Sequence, residues 1–163
     1  MDGRALLQHQ LGVSHQILRL SLDSISDEEA RSTPSGLTPI VWQAGHIALA
    51  NFGFARGSLG FVVGADVAPA GMLPGNSAAL FKTGTGGAAA YPPLGDVAGS
   101  LDASHDALVR AVAEADLSAP NEGPRGIWHT QGEAFAFAAT HRSYHIGKIN
   151  TLRALLGKPR LFG

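Results

Sequence analysis

The chain has 163 residues, 45% of them hydrophobic and 15% charged, enough to enclose one core and too apolar for a disordered polymer. Its formal net charge of -1, with Lys and Arg scattered along the chain, excludes the sustained positive field that nucleic acid requires. There is no cysteine, which removes disulfides, thiolate ligands and a cysteine nucleophile together and leaves nitrogen and oxygen as the only strong metal donors.

The N-terminal segment lacks the apolar stretch of a signal peptide, and no run approaches the ~18 apolar residues of a membrane span. The expectation is a single domain over residues 1–163, cytoplasmic, acting on a small molecule rather than on nucleic acid or a membrane. From Arg4 to Ile25, Leu7, Leu11, Leu18, Leu22 and Ile25 recur at spacings of one helix face. Ser26-Asp27-Glu28-Glu29 fits a capping box that opens a short helical turn. Thr38-Pro39 reads as an N-cap followed by a proline in the first turn, so a second long helix carries Trp42, His46, Leu49 and Gly53.

Between Gly57 and Pro93 lie eight glycines and several prolines, the composition of a long loop, expected to be more mobile than the helices and to cover a site. Within it, a short helix is expected at residues 76–81 with Asn76 as its cap, and Phe61-Val62-Val63 leaves room for a short extended piece. A third helix follows from Asp96 to Ala115 with Val97, Leu101, Leu108 and Val112 on one face. Thr130-Gln131-Gly132-Glu133 is a second capping box, opening a helix to Leu156 where Gly157 and Pro159 are stop signals. The sum is an all-α chain, a four-helix bundle with a Gly-rich loop between its second and third helices.

The chemistry lies in the histidines. His141 and His145 stand at i and i+4, on the helix face that also carries Ala134, Ala138, Ile149, Leu152 and Leu156, so they point inward together. Spacing alone leaves two readings, a ligand pair for one ion or a hydrogen-bonded core pair, and Arg142 in place of a glutamate excludes the His-Glu-x-x-His metalloprotease pattern. His46 sits among Trp42, Ile47, Leu49 and Ala50 as either a third ligand or a satisfied core histidine. His129 lies twelve residues before His141, ~18 Å along a helix axis, and is set outside any shared site. His15 and His105 each follow a core leucine by four residues and read as partners behind the ligands or as boundary histidines, while His9 reads as exposed.

Trp42-Gln43-Ala44-Gly45-His46-Ile47-Ala48 resembles the W-x-x-x-H-[IL]-A segment of the DinB/YfiT-like superfamily, and His141-Arg142-Ser143-Tyr144-His145-Ile146-Gly147-Lys148 resembles its H-x-x-Y-H-x-G-Q segment. Residues 76–81 and 152–159 are similar to further family stretches, so the likeness spans essentially the whole chain. It implies an up-down-down-up four-helix bundle in which His46, His141 and His145 hold one divalent ion, zinc first with nickel and iron as alternatives, and it implies a homodimer. The departure is Lys148, where the family usually carries glutamine; Lys148 is read as a surface lysine or as a rim charge for an anionic substrate, and with Tyr144 and His105 it is a candidate neighbour of the ligands.

A three-histidine set leaves a coordination position open, as catalytic zinc does. The leading expectation is a transferase dependent on a low-molecular-weight thiol cosubstrate, because a chain without cysteine must borrow its sulfur. The alternatives are a metal-dependent hydrolase, weakened by the lack of an acidic residue beside the histidines, and a bundle that binds metal and ligand without turnover. No residue of the sequence stands out as catalytic.

Overall fold

In the computed structural model the described residues are 2–57, 73, 77–84 and 87–161, and they form helices with no strand among them. The first, α1 (Gly3–Leu22), is capped by the Asp2 carboxylate, which accepts from the Ala5 amide at 2.8 Å. It stops three residues short of the predicted Ile25, because Asp23 is extended and Ser24 takes φ 59. Ile25 is nevertheless buried. The short α2 (Asp27–Arg31) opens with both hydrogen bonds of the capping box read from Ser26 and Glu29.

Helix α3 (Ile40–Ala55) has Pro39 in the cap position with no side-chain cap, so Thr38 stands one residue too early to do what the sequence suggested. It is buried on nearly every side and leaves its last turn through Gly57 at φ +68, a conformation open to glycine without strain. Helix α4 (Ser77–Thr83) occupies the short helix expected inside the long connection. Asn76 and the Phe61-Val62-Val63 segment lie outside the described residues, as does most of the predicted cover.

Helix α5 (Leu94–Glu114) begins two residues before the predicted Asp96, and the reason is distant in sequence. The carboxylate of Asp27 on α2 accepts from the Leu94 amide at 2.7 Å and supplies the cap that Pro93 cannot. Helix α6 (Gln131–Leu155) opens with the Thr130–Glu133 capping box. It closes on Gly157 at φ +72, with Lys158 N–H donating to Arg153 O at 2.9 Å and Gly157 N–H to Ala154 O at 3.1 Å. These are the paired bonds that satisfy the last helix carbonyls.

Helix α3 packs against α5 and α6, and α1 packs against the same two from the other side. Two apolar clusters fill the interior. One gathers Leu18, Ile40, Ile47, Phe81, Leu101 and Ile149, and the other Leu11, Phe54, Leu108, Val112, Trp128 and Phe135. On each long helix a buried polar residue falls between the two clusters in sequence: Ser14 on α1, Asn51 on α3, Ser104 on α5 and Arg142 on α6. A polar layer thus divides the core. Each fully buried leucine, isoleucine or phenylalanine is worth ~1.5–3 kcal/mol in transfer alone, so the apolar clusters supply the stability that carries this layer.

Candidate metal centre

The three histidines expected to act together do meet. His46 from α3 and His141 and His145 from α6 each bring one ring nitrogen to within 4.8 Å of the others. His145 Nε2 is 3.1 Å from His141 Nε2, near the ~3.3 Å edge expected of two nitrogens on a tetrahedral zinc at ~2.0–2.1 Å. The ring centroids of His46 lie 5.2 Å from His141 and 4.8 Å from His145. Both α6 histidines are buried, and His46 is partly so.

Hydrogen bonds on the far side of the rings fix what the near side offers. The Nδ1–H of His46 donates to the Phe81 carbonyl at 2.9 Å. The Nδ1–H of His145 donates to Gln43 Oε1 at 2.6 Å, and Gln43 Nε2 donates in turn to Thr38 O at 3.3 Å, which sets the orientation of the amide. Each ring therefore keeps its Nε2 lone pair for the shared space. Burial, then the neighbouring His46 and Arg142 charges, hold His141 well below the usual imidazole range. Burial, followed by His141, His46 and Lys148, does the same to His145. Burial also lowers His46, with Lys148 adding to the effect against the Phe81 bond.

With His46 and His145 each keeping an Nε2 lone pair, the His141 ring can meet them by donating its own Nε2–H to His145 at 3.1 Å or by sharing a positive ion with them. A divalent cation fits this donor set, and the outer hydrogen bonds are those that orient histidine ligands in metal sites. Gln43 is 2% exposed, and in the sequence it is no more than one letter of a motif. Its role depends on a partner 102 positions away, which no local pattern reveals. The Phe81 carbonyl was equally invisible.

Gly45 explains how Phe81 reaches the site. A Cβ at position 45 would lie 2.3 Å from the Phe81 ring, so only glycine lets this ring lie flat against α3. The two consecutive carbonyls near the end of α4 then face α3, where Leu80 O accepts from Trp42 Nε1 at 3.1 Å while Phe81 O accepts from His46. The Trp42 indole stacks on the His46 ring at 4.6 Å and 14°. Sequence, close packing and ligand orientation form one chain of cause here.

The remaining candidates are placed as follows. Tyr144 is exposed, its ring edge-on to His145 at 5.1 Å, and Lys148 Nζ lies 4.5 Å over the Tyr144 ring. His105 stacks on His15 at 4.1 Å and 6°, between α5 and α1. His15 Nε2–H donates to Asp102 at 3.0 Å, and the Nδ1 atoms of both rings are buried without a partner. Burial, then the His15 and Arg142 charges, push His105 down to about 4. His129 is exposed and paired with Glu122 at 3.0 Å, which raises it. His9 is exposed.

Arg142, next to His141 in sequence, turns the other way into the polar layer. It is fully buried and donates to Leu11 O at 2.7 Å, Ser14 Oγ at 3.0 Å and Asn51 Oδ1 at 3.3 Å. Burial lowers it to about 10, so it remains a cation at neutral pH. No helix among the described residues is long and apolar enough to cross a membrane.

A sequence model of the DinB superfamily matches residues 10–149, a span that includes all three converging histidines. No curated protein and no solved structure matches the chain.

Proposed function

Because this chain belongs to the DinB superfamily, we propose that it is a metal-dependent enzyme built on that family's four-helix bundle, with His46, His141 and His145 as the ligands of one divalent ion. Zinc is the first choice and nickel or iron the alternatives, since neutral imidazole suits all three. The observation that carries the reading is the tautomer lock. Phe81 O and Gln43 Oε1 hold the Nδ1 protons of two rings, so their free nitrogens face a third imidazole across a buried gap.

The reaction we assign is transfer of a low-molecular-weight thiol to an electrophile. When bound, the ion would lower the pKa of a coordinated thiol or water and so supply the nucleophile. The chain's own residues hold the ring orientations, keep the imidazoles unprotonated by burial and, through Trp42, cover one side of His46. Among the described residues no carboxylate joins the histidine cluster. A hydrolase on this site would have no carboxylate to assist the metal-bound water as a general base, which favours thiol transfer over it.

The homodimer belongs to the same proposal. Leu6, Val13 and Leu20 are exposed at seven-residue intervals along α1, a stripe that a second copy would cover. Sedimentation of wild type and Leu20→Glu distinguishes a dimer through this face from a monomer.

The functional test is elemental analysis of purified protein followed by a screen for thiol consumption with soft electrophiles. Turnover requiring both metal and thiol supports the assignment. Metal-dependent turnover without thiol would replace it with a hydrolase, and a bound ion with no turnover would leave a binding protein.

A further inference from the structure

We propose that the cavity between the N-terminal turn of α3 and the C-terminal half of α6 is an acceptor site for the carboxylate end of a small organic acid, with Lys148 as its counter-charge. The inference rests on the metal-centre reading and deepens it by naming the class of substrate. The cavity has a volume of about 130 Å³ and is lined by Leu37, Thr38, Gln43, Lys148, Thr151 and Leu152. At ~30 Å³ per water this is room for about four waters or an acid of a few carbons.

Three features give the cavity its chemistry. Among the described residues of its lining, Lys148 is the only charged side chain. The nearest recorded group to its ammonium is the neutral Tyr144 ring, and among the described ion pairs none involves it. Gln43, buried and fixed at both ends of its amide, has two N–H hydrogens on Nε2 and one recorded acceptor for them, Thr38 O. The N-terminus of α3 lies beside Thr38 with no side-chain cap, so its first N–H groups add a partial positive charge on the same side. Leu37 and Leu152 complete the lining with apolar surface, which suits a hydrocarbon body attached to the acid.

The cavity is also joined to the ligands. Gln43 lines it and holds His145 at 2.6 Å, and Lys148 follows His145 by three residues on α6, its Nζ over the Tyr144 ring that meets His145 edge-on. An acid seated on Lys148 would thus lie beside the histidines.

The test compares butyrate with butyramide, equal in size and differing in charge, by NMR titration of backbone amides in zinc-free and zinc-loaded protein. Zinc content is measured on the same samples, so that failure of the metal reading shows separately. The expected result is that butyrate shifts the amides of Thr38, Gln43 and Thr151 with at least tenfold tighter binding than butyramide, in both forms. Lys148→Gln should abolish that preference while zinc content and helicity stay at wild-type levels. Equal binding of the two probes, an unchanged preference in Lys148→Gln, or butyrate shifts that appear only with zinc and centre on the histidines would each overturn the proposal.

Discussion

Two groups of histidines occupy this small protein, and they differ in geometry rather than in residue type. His46, His141 and His145 come together at steep angles, 49–64° between ring planes, so that ring nitrogens converge. His15 and His105 lie flat on one another at 6°, which leaves their nitrogens side by side and unable to grip a common ion. Both groups are pushed toward the neutral state by burial. Burial thus makes imidazoles available as ligands, but hydrogen bonds that fix the tautomer and elements that aim the rings decide whether they form a metal centre.

The strongest way to break this contrast is to remove one imidazole from each group. His145→Ala should abolish zinc binding, because two remaining donors are too few for a stable site, whereas His15→Ala should bind zinc to wild-type stoichiometry. Elemental analysis on folded protein, checked by circular dichroism, decides between them. Zinc retained by the first variant or lost by the second would end the distinction.

Next in size is Arg142, which touches the polar layer and not the cluster. Arg142→Met strands Asn51 Oδ1, while Leu11 O keeps Ser14 Oγ as a donor at 3.1 Å, and at ~1–3 kcal/mol for an unsatisfied buried group the expected loss is about 1–3 kcal/mol. Urea unfolding measures it. Unchanged stability would show that the guanidinium's own burial cost cancels its three bonds.

Gln43→Ala sharpens the comparison from within the centre. Loss of the outer hydrogen bond to His145 should weaken zinc affinity by ~10–100-fold with the three ligands still present, read by competition with a chelator. An affinity equal to wild type would mean that packing alone orients the ring.

The smallest effect belongs to the stacked pair. His105 titrates near 4 when folded, below its ordinary value of 6.5, so between those pH values the unfolded chain binds the extra proton. Its neutral burial therefore stabilises the fold fully above about pH 6.5, and this contribution is lost as pH falls toward 4. The stability difference between wild type and His105→Gln should shrink across that window in denaturant titrations, and a difference independent of pH would contradict the lowered titration.

Much of this architecture was readable from local signals. The Ser26–Glu29 and Thr130–Glu133 boxes act within four residues, and the i, i+4 spacing of His141 and His145 is a property of one helix turn, so sequence alone sufficed. What escaped was non-local. Helix α5 starts early because of Asp27, α1 ends early at a left-handed Ser24, and the group that orients His145 comes from another helix. His46 was legible as a candidate ligand only through family likeness, since a single histidine on an apolar helix carries no signal of the partners it meets across the core.

The docking of α4 has a thermodynamic consequence. Its Phe81 carbonyl, seated through the space that Gly45 leaves open, is what commits the His46 proton to Nδ1. An ion that prefers His46 in this tautomer must then favour the docked helix by the same free energy with which the docked helix favours the ion, because linkage between two equilibria is reciprocal. A bulkier residue at position 45, though it touches no ligand, would thus act as a remote dial on metal affinity, and occupancy of the centre would in turn govern how often α4 lifts from its seat.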